Sequence, residues 1–188
     1  RGCAEEKIHF CGILYPGIML LKNGGASVPA SRLVSSLAPP KNDGARVLEF
    51  NARFGDPETQ VYLTRLENDL VELLDASVSG AMDKIELRWK PEASVCVVMA
   101  SGGYPGNYEK GKPIRGLDDA AKLPGVKVFH AGTALKENQI VTNGGRVLDV
   151  TDLGQTLQSA PAAAYAAVEK IHFDGAHFRR DIAAKAMV

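Results

Sequence analysis

The feature that most constrains the fold is a short segment at residues 47–60, with the sequence VLEFNARFGDPETQ. Its first five residues predict a strand, in which successive side chains point to opposite faces. Gly55 then permits a sharp turn. Asp56 is typical of a helix cap, and Pro57 of the first helical position, where a missing N–H group costs nothing. The segment therefore predicts a strand that turns directly into a helix.

Glu49 and Asn51 are the unusual residues of this predicted strand. Both residue types are poor strand formers, and an ordinary strand followed by a capped helix does not explain them. Because they are two positions apart, they lie on the same face of the strand. A carboxylate and a carboxamide so placed offer oxygen ligands to Mg²⁺ or Mn²⁺, which usually also binds substrate phosphates and water. We therefore predict a metal site at Glu49 and Asn51.

Arg53 and Asp56 are the next candidates along the segment. The Arg53 guanidinium can bind a substrate phosphate or carboxylate through two parallel hydrogen bonds. It can equally form a structural salt bridge with Asp56 or Glu58, and the spacing alone does not separate these roles. For Asp56 we expect a helix cap, with contact to a substrate amine or hydroxyl as an additional role.

The rest of the chain alternates between strand and helix patterns. Apolar residues at helical spacing predict one amphipathic helix over residues 58–79, ended by Gly80. Glu137 and Asn138 predict a hairpin turn. Residues 23–45 are rich in Gly, Ser, Pro and Ala and predict a connection. The remaining predictions are strands at 8–22, 94–100, 126–129, 133–135, 139–142 and 147–150, an alanine-rich helix at 157–171 with Pro161 in its first turn or at a kink, and a final helix at about 177–187.

Composition and charge exclude several classes of partner. The chain has 22 basic and 22 acidic residues, so there is no electrostatic case for binding nucleic acid or an anionic membrane surface. No apolar run approaches the length of a membrane span. The three cysteines are odd in number and form no CxxC pair, which favours reduced thiols in a cytoplasmic protein.

The segment VLEFNARFGDPETQ resembles the metal-binding segment of the phosphoribosylamine–glycine ligases (glycinamide ribonucleotide synthetases), an ATP-grasp family of purine synthesis. Other strings resemble the same family in the same order, over nearly the whole chain. They are GILYPGIM at 12–19, SGGYPG at 101–106, YEKGKPI at 108–114, HAGT at 130–133, VTNGGRVL at 141–148, IHFDG at 171–175 and FRRDI at 178–182.

The resemblance implies an α+β fold in two parts. Residues 1–85 are then the second half of an ATP-grasp domain, with an insertion at about 23–45, and residues 91–188 are a small mixed-sheet C-terminal domain. It also implies ATP-dependent ligation of glycine to 5-phosphoribosylamine through glycyl phosphate, giving glycinamide ribonucleotide, ADP and phosphate. In that reaction Glu49 and Asn51 bind the metal and cofactor, and Arg53 and Asp56 are the catalytic residues that face the substrates.

The resemblance further implies that the family's N-terminal domain and nucleotide-binding loop are missing here, so we expect a C-terminal fragment that is inactive alone. The expected partners are ATP, Mg²⁺ or Mn²⁺, glycine, phosphoribosylamine and the missing N-terminal portion, with no nucleic acid and no membrane. Two alternatives remain open at this point. One is another ATP-grasp carboxylate–amine ligase, and the other is a non-catalytic module.

Overall fold

The computed structural model describes residues 11–20 and 45–184. The chain forms two compact units that alternate along the sequence. The first comprises Arg1–Gly55 with Leu70–Glu86, and the second comprises Asp56–Asp69 with Leu87–Val188. Of the predicted connection at 23–45, residues 23–44 lie outside the described part of the chain, as do residues 8–10 and 21–22 of the predicted first strand.

In its described residues, the first unit has one antiparallel strand pair and two helical segments. Strand β1 (Tyr15–Leu20) pairs with β2 (Ala45–Asn51), with one irregularity after Gly17. The strand predicted at 47–51 is confirmed. Helix α2 (Leu70–Ser79) ends at Gly80, whose φ of +71° is the left-handed conformation that favours glycine, and a 3₁₀ helix follows at Met82–Lys84.

The second unit is built on a three-stranded antiparallel sheet in the order β3-β7-β4, with a separate β5-β6 hairpin. Its strands are β3 (Ala93–Ala100), β4 (Lys127–His130), β5 (Thr133–Lys136), β6 (Gln139–Thr142) and β7 (Arg146–Gly154). Its helices are α1 (Glu58–Arg65), α3 (Leu117–Ala121) and α4 (Ala160–Val168).

Strand β7 is the centre of this unit, because it pairs with β3 on one side and β4 on the other. Six consecutive residues of β7, from position 147 to 152, are buried, as expected for a strand covered on both faces. Helix α4 packs on the sheet through small side chains, and Ala160, Ala164 and Ala167 are all fully buried. Pro161 lies in the first turn of α4, one of the two positions predicted for it.

The sequence predicts the short strands and the β5-β6 turn correctly. Glu137 and Asn138 have φ values of 48° and 62°, which two-residue hairpin turns of this hand require. The α+β class is also confirmed. Within the described residues, no helix is long and apolar enough to cross a membrane.

The single helix predicted over residues 58–79 is wrong. Helix α1 ends at Arg65, and Leu66 takes an extended conformation that forms a β-bridge with Trp89. The Glu67 amide donates to the Arg88 carbonyl at 3.0 Å instead of continuing the helix. The apolar spacing continues across the break, so periodicity alone could not reveal it.

The final helix predicted at about 177–187 is also wrong over the part of it that is described, residues 177–184. His177 and Ala100 exchange two backbone hydrogen bonds of 2.8 and 3.0 Å in an antiparallel bridge. Ala183 has a φ of +66°, which an α-helix does not contain. A long-range pairing with the end of β3 thus replaces the local helix.

Candidate functional site

Glu49 and Asn51 lie on one face of β2, and Leu48 and Phe50 lie on the other. The Glu49 side chain is exposed and Asn51 is half-buried. Leu48 and Phe50 are 42% and 56% exposed, so the apolar face of this strand is also open to solvent. The pairing of a carboxylate and a carboxamide on one strand face, expected from the sequence, is therefore present.

Gly17 on β1 makes room for the Glu49 side chain. The two residues are directly opposite each other in the β1-β2 ladder. A Cβ atom at Gly17 would lie 3.0 Å from the Glu49 Cγ and 3.6 Å from its Oε1. A glycine at this position thus leaves the space that the glutamate occupies beside the strand.

The chemistry of this pair fits a hard divalent cation. Glu49 and Asn51 both offer oxygen atoms, which Mg²⁺ and Mn²⁺ prefer. Over the described residues, no group of three or more His, Cys, Asp or Glu side chains is arranged to hold a metal ion. Mg²⁺ usually binds one or two protein carboxylates and completes its shell with water and substrate phosphates, so a pair of oxygen donors of this size suits it.

Arg53 follows β2 in the first unit and is exposed. Its Nη1 donates a hydrogen bond of 3.0 Å to the Phe54 carbonyl. Among the described residues, no other partner of the guanidinium is seen, and its Nε–Nη2 edge has the geometry for two parallel hydrogen bonds to an anion.

Asp56 in the second unit is not the helix cap that the sequence predicts. Helix α1 begins at Glu58, its N-cap is Pro57, and no side chain makes a cap hydrogen bond. The Asp56 carboxylate instead accepts a 3.0 Å hydrogen bond from Gln60 Nε2 at Oδ1 and pairs with Arg146 Nη2 at 3.1 Å through Oδ2. Because the helix begins one residue later than predicted, Asp56 lies outside the N-cap position, and its carboxylate bonds to these two side chains instead.

Asp149 lies in the same cluster and is fully buried in the middle of β7. Its Oδ2 accepts a 2.7 Å hydrogen bond from Gln60 Nε2. Its Oδ1 and the Oε1 of Gln60 are buried without a hydrogen-bond partner in the part of the chain that is described. Burial, with a smaller contribution from the neighbouring Asp56, raises the pKa of Asp149 to about 6.

Cys96 on β3 is close enough to this cluster for the charges of Asp149 and Asp56 to act on its thiol. Burial, assisted by the negative charge of Asp149, raises the pKa of its thiol to about 12. A thiol that stays protonated near neutral pH is a poor nucleophile. Cys96 therefore belongs to the packing of the unit and not to its chemistry.

Three residues of the cluster around Asp56, namely Gln60, Arg146 and Asp149, are not among the site residues predicted from the sequence. Asp149 carries the same signal as Glu49, a carboxylate inside an otherwise apolar strand pattern. That signal could have identified it. Nothing in the local pattern marks Arg146, because its partner Asp56 is 90 residues away.

Two family models match this chain. The ATP-grasp (A) domain of phosphoribosylglycinamide synthetase matches residues 1–59, and the C domain of the same protein matches residues 94–185. The chain belongs to the phosphoribosylglycinamide synthetase family. The A-domain match includes Glu49, Asn51, Arg53 and Asp56, and the C-domain match includes Arg146 and Asp149.

Curated relatives in the phosphoribosylglycinamide synthetase family carry the name phosphoribosylamine–glycine ligase. The one from Pseudomonas aeruginosa is 48% identical over the whole of this chain and 39% of its own length. The chloroplastic one from Arabidopsis thaliana is 44% identical, and the match covers 32% of its length. The chain thus spans well under half the length of these relatives.

A solved structure shows the same relationship. The crystal structure of phosphoribosylamine–glycine ligase from Thermotoga maritima is 40% identical, with a TM-score of 0.61. The superposition covers 73% of this chain and 33% of that one.

Proposed function

We propose that this chain is the C-terminal part of a phosphoribosylamine–glycine ligase. The complete enzyme joins glycine to 5-phosphoribosylamine with ATP and releases glycinamide ribonucleotide, ADP and phosphate. The observation that carries the proposal is the Glu49–Asn51 pair on one face of β2, in a segment matched by the family's ATP-grasp domain. The names of the relatives support the choice of substrates.

The chemistry needs activation of a carboxylate and positioning of an amine. ATP transfers its γ-phosphoryl group to the glycine carboxylate, which converts a poor electrophile into glycyl phosphate. The phosphoribosylamine nitrogen then attacks the carbonyl carbon, the C–O bond to phosphate breaks, and the nitrogen loses a proton as the amide forms. When bound, Mg²⁺ or Mn²⁺ neutralises the charge that develops on the phosphates.

The residues of this chain have separate roles in that reaction. Glu49 and Asn51 supply oxygen ligands to the cation that accompanies ATP. Arg53 binds an anionic group of a substrate through the free edge of its guanidinium. Asp56 accepts a hydrogen bond from the amine or a hydroxyl group of phosphoribosylamine.

The proposal includes the organisation of the longer protein. Residues 1–85 belong to the ATP-grasp domain and residues 91–188 to the C-terminal domain. The N-terminal portion supplies the remaining nucleotide-binding groups and is required for activity. We place the enzyme in the cytoplasm.

The test is a coupled assay of ADP release with ATP, Mg²⁺, glycine and freshly made phosphoribosylamine. It compares this chain alone with the same chain joined to the N-terminal region of its own gene product. We expect activity in the longer protein only, and only when both glycine and the amine are present. ADP release that depends on a different acid or amine would show that the protein is another ATP-grasp ligase. No ADP release from either protein would contradict the proposal.

A further inference from the structure

The second unit surrounds the Asp56 carboxylate with polar groups from two elements. Gln60 comes from α1, and Arg146 and Asp149 come from β7. The Asp56 carboxylate accepts from Gln60 at Oδ1 and pairs with Arg146 at Oδ2, and the Asp149 carboxyl group also interacts with it. Arg146 also donates from Nη1 to the Asp56 backbone carbonyl at 2.8 Å. The residue is therefore fixed at both its side chain and its main chain.

The fixed carboxylate remains open to a ligand. The Asp56 side chain is 40% exposed, and that of Arg146 is 41% exposed. An ionised carboxylate oxygen can accept more than one hydrogen bond. Asp56 can thus keep its contacts with Gln60 and Arg146 and still accept an N–H or O–H group from solvent or a substrate.

Asp149 determines how Gln60 faces Asp56. The Gln60 amide nitrogen has two hydrogens, and it donates one to Asp56 and the other to Asp149. Both acceptors are carboxyl groups, so the NH₂ side of the amide must face them and the oxygen must face away. Because Asp149 is completely buried on the central strand, it is a rigid support for this orientation.

We propose that Arg146, Gln60 and Asp149 are positioning residues, which hold the Asp56 carboxylate in one orientation for an N–H or O–H donor of the phosphoribosylamine substrate. The proposal rests on the proposed function and extends it to residues that do not contact the reacting atoms themselves. If the Asp56 carboxylate is displaced, the reaction rate falls even when the substrates still bind.

A second role for Arg146 would be direct contact with substrate, since its side chain is partly exposed. The two roles predict different results in a double-mutant cycle with Asp56. If Arg146 acts through Asp56, its loss has no further effect once the Asp56 carboxylate is gone. If Arg146 binds substrate independently, the decreases in kcat/KM caused by the two substitutions multiply.

The experiment measures kcat and KM for each substrate in the full-length enzyme, with Asp56→Asn, Arg146→Gln and the double variant. We expect kcat/KM for phosphoribosylamine to fall roughly 10- to 100-fold in each single variant. The double variant should be no worse than the poorer single one, and KM for ATP and glycine should stay unchanged. Gln60→Met, which removes the amide at similar length, should give a loss that is non-additive with Asp56→Asn in the same way.

The control is Arg179→Gln, which removes another exposed arginine–aspartate pair of the same unit, Arg179 Nη2 to Asp181 Oδ2 at 2.7 Å. It should leave all kinetic constants unchanged. If the decreases in kcat/KM of the single variants multiply in the double variant, or if Arg146→Gln has normal activity, the positioning role is wrong. The proposed function would not be affected by either result. A wild-type enzyme without glycine- and amine-dependent turnover would overturn the proposed function and this inference with it.

Discussion

Arg146 contacts Asp56 at two points, with Nη1 on the backbone carbonyl at 2.8 Å and Nη2 on the carboxylate at 3.1 Å. The pair joins Asp56, two residues before α1, to the first residue of β7, over a separation of 90 residues. The guanidinium fork makes both contacts at once, which a lysine ammonium group on a flexible stem does not reproduce. The Arg146 side chain therefore connects Asp56, near the end of the segment at 47–60, to the central strand of the second unit.

The buried Asp149 predicts how stability depends on pH. Its pKa is raised from an ordinary value of 3.8 to about 6. The folded protein thus holds this proton more tightly than the unfolded chain does. The stabilisation is complete below about pH 4, and it is lost as pH rises to about 6, by an amount on the order of 3 kcal/mol. The groups that act on Asp149 are Asp56, Gln60 and Arg146, and the thiol of Cys96 on the adjacent strand is neutral there.

The measurement is the free energy of unfolding of the wild-type protein and of Asp149→Asn between pH 4 and pH 7. We expect the variant to become more stable relative to wild type as pH rises through this window. Asp119→Asn is the control, because Asp119 is exposed and its pKa is lowered by Lys122, so its titration lies below the window. A constant difference between wild type and Asp149→Asn would contradict an elevated pKa.

Glu49 gives a prediction about the metal site. Glu49→Gln keeps the size of the side chain and removes its charge, so it should reduce turnover of the full-length enzyme at least 100-fold, an order of magnitude typical for a lost charge-stabilising contact. The melting temperature should not change, because the side chain is exposed. Glu72→Gln, an exposed glutamate of the same unit, is the control and should keep full activity. Normal turnover in Glu49→Gln would remove Glu49 from the metal site.

The sequence predicts features that neighbouring residues determine and misses those that distant residues determine. Strand β2, the glycine at the end of α2 and the hairpin turn all depend on local backbone chemistry, and each is predicted correctly. The break after Arg65 depends on pairing between Leu66 and Trp89, which are far apart in sequence. The position of Asp56 depends equally on a distant arginine. Local patterns thus predict the strand that carries Glu49 and Asn51, but not the contacts of the second unit's cluster.

The cysteines provide a test of how well the core of the second unit excludes solvent. Cys96 is 7% exposed, and its pKa is raised to about 12, mainly by burial. Cys11 is exposed, and its Sγ donates to the Ser77 carbonyl at 3.0 Å. In a Cys3→Ser background, a thiol reagent at neutral pH should label Cys11 in the native protein, and Cys96 only after unfolding.

A further variant separates the two causes of Cys96 protection. Asp149→Asn removes the negative charge near the thiol but leaves its burial unchanged. Labelling of Cys96 should therefore remain slow in this variant. Fast labelling of Cys96 in Asp149→Asn, with the protein still folded, would show that charge and not burial protects it.

Two glycines with the same backbone conformation test the packing at the start of α3. Gly116 and Gly111 both have a φ of +81°. An added Cβ at Gly116 would collide with the Lys170 carbonyl oxygen, whereas at Gly111 it would meet nothing within 4 Å. The Lys170 backbone cannot easily move aside, because Arg115 and His172 exchange two hydrogen bonds of 2.9 and 3.0 Å next to it.

We expect two chemically identical substitutions, Gly111→Ala and Gly116→Ala, to have very different effects on the free energy of unfolding. Gly111→Ala should lower the free energy of unfolding by about 1 kcal/mol, the cost of a left-handed conformation for an L-residue. Gly116→Ala should lower the free energy of unfolding by the same amount and by roughly a further 1–3 kcal/mol, because of the steric conflict. Urea denaturation of both variants measures the difference directly. Equal decreases in the free energy of unfolding would mean that the Lys170 backbone can move aside at little cost. Gly116 would then be required only for its positive φ angle.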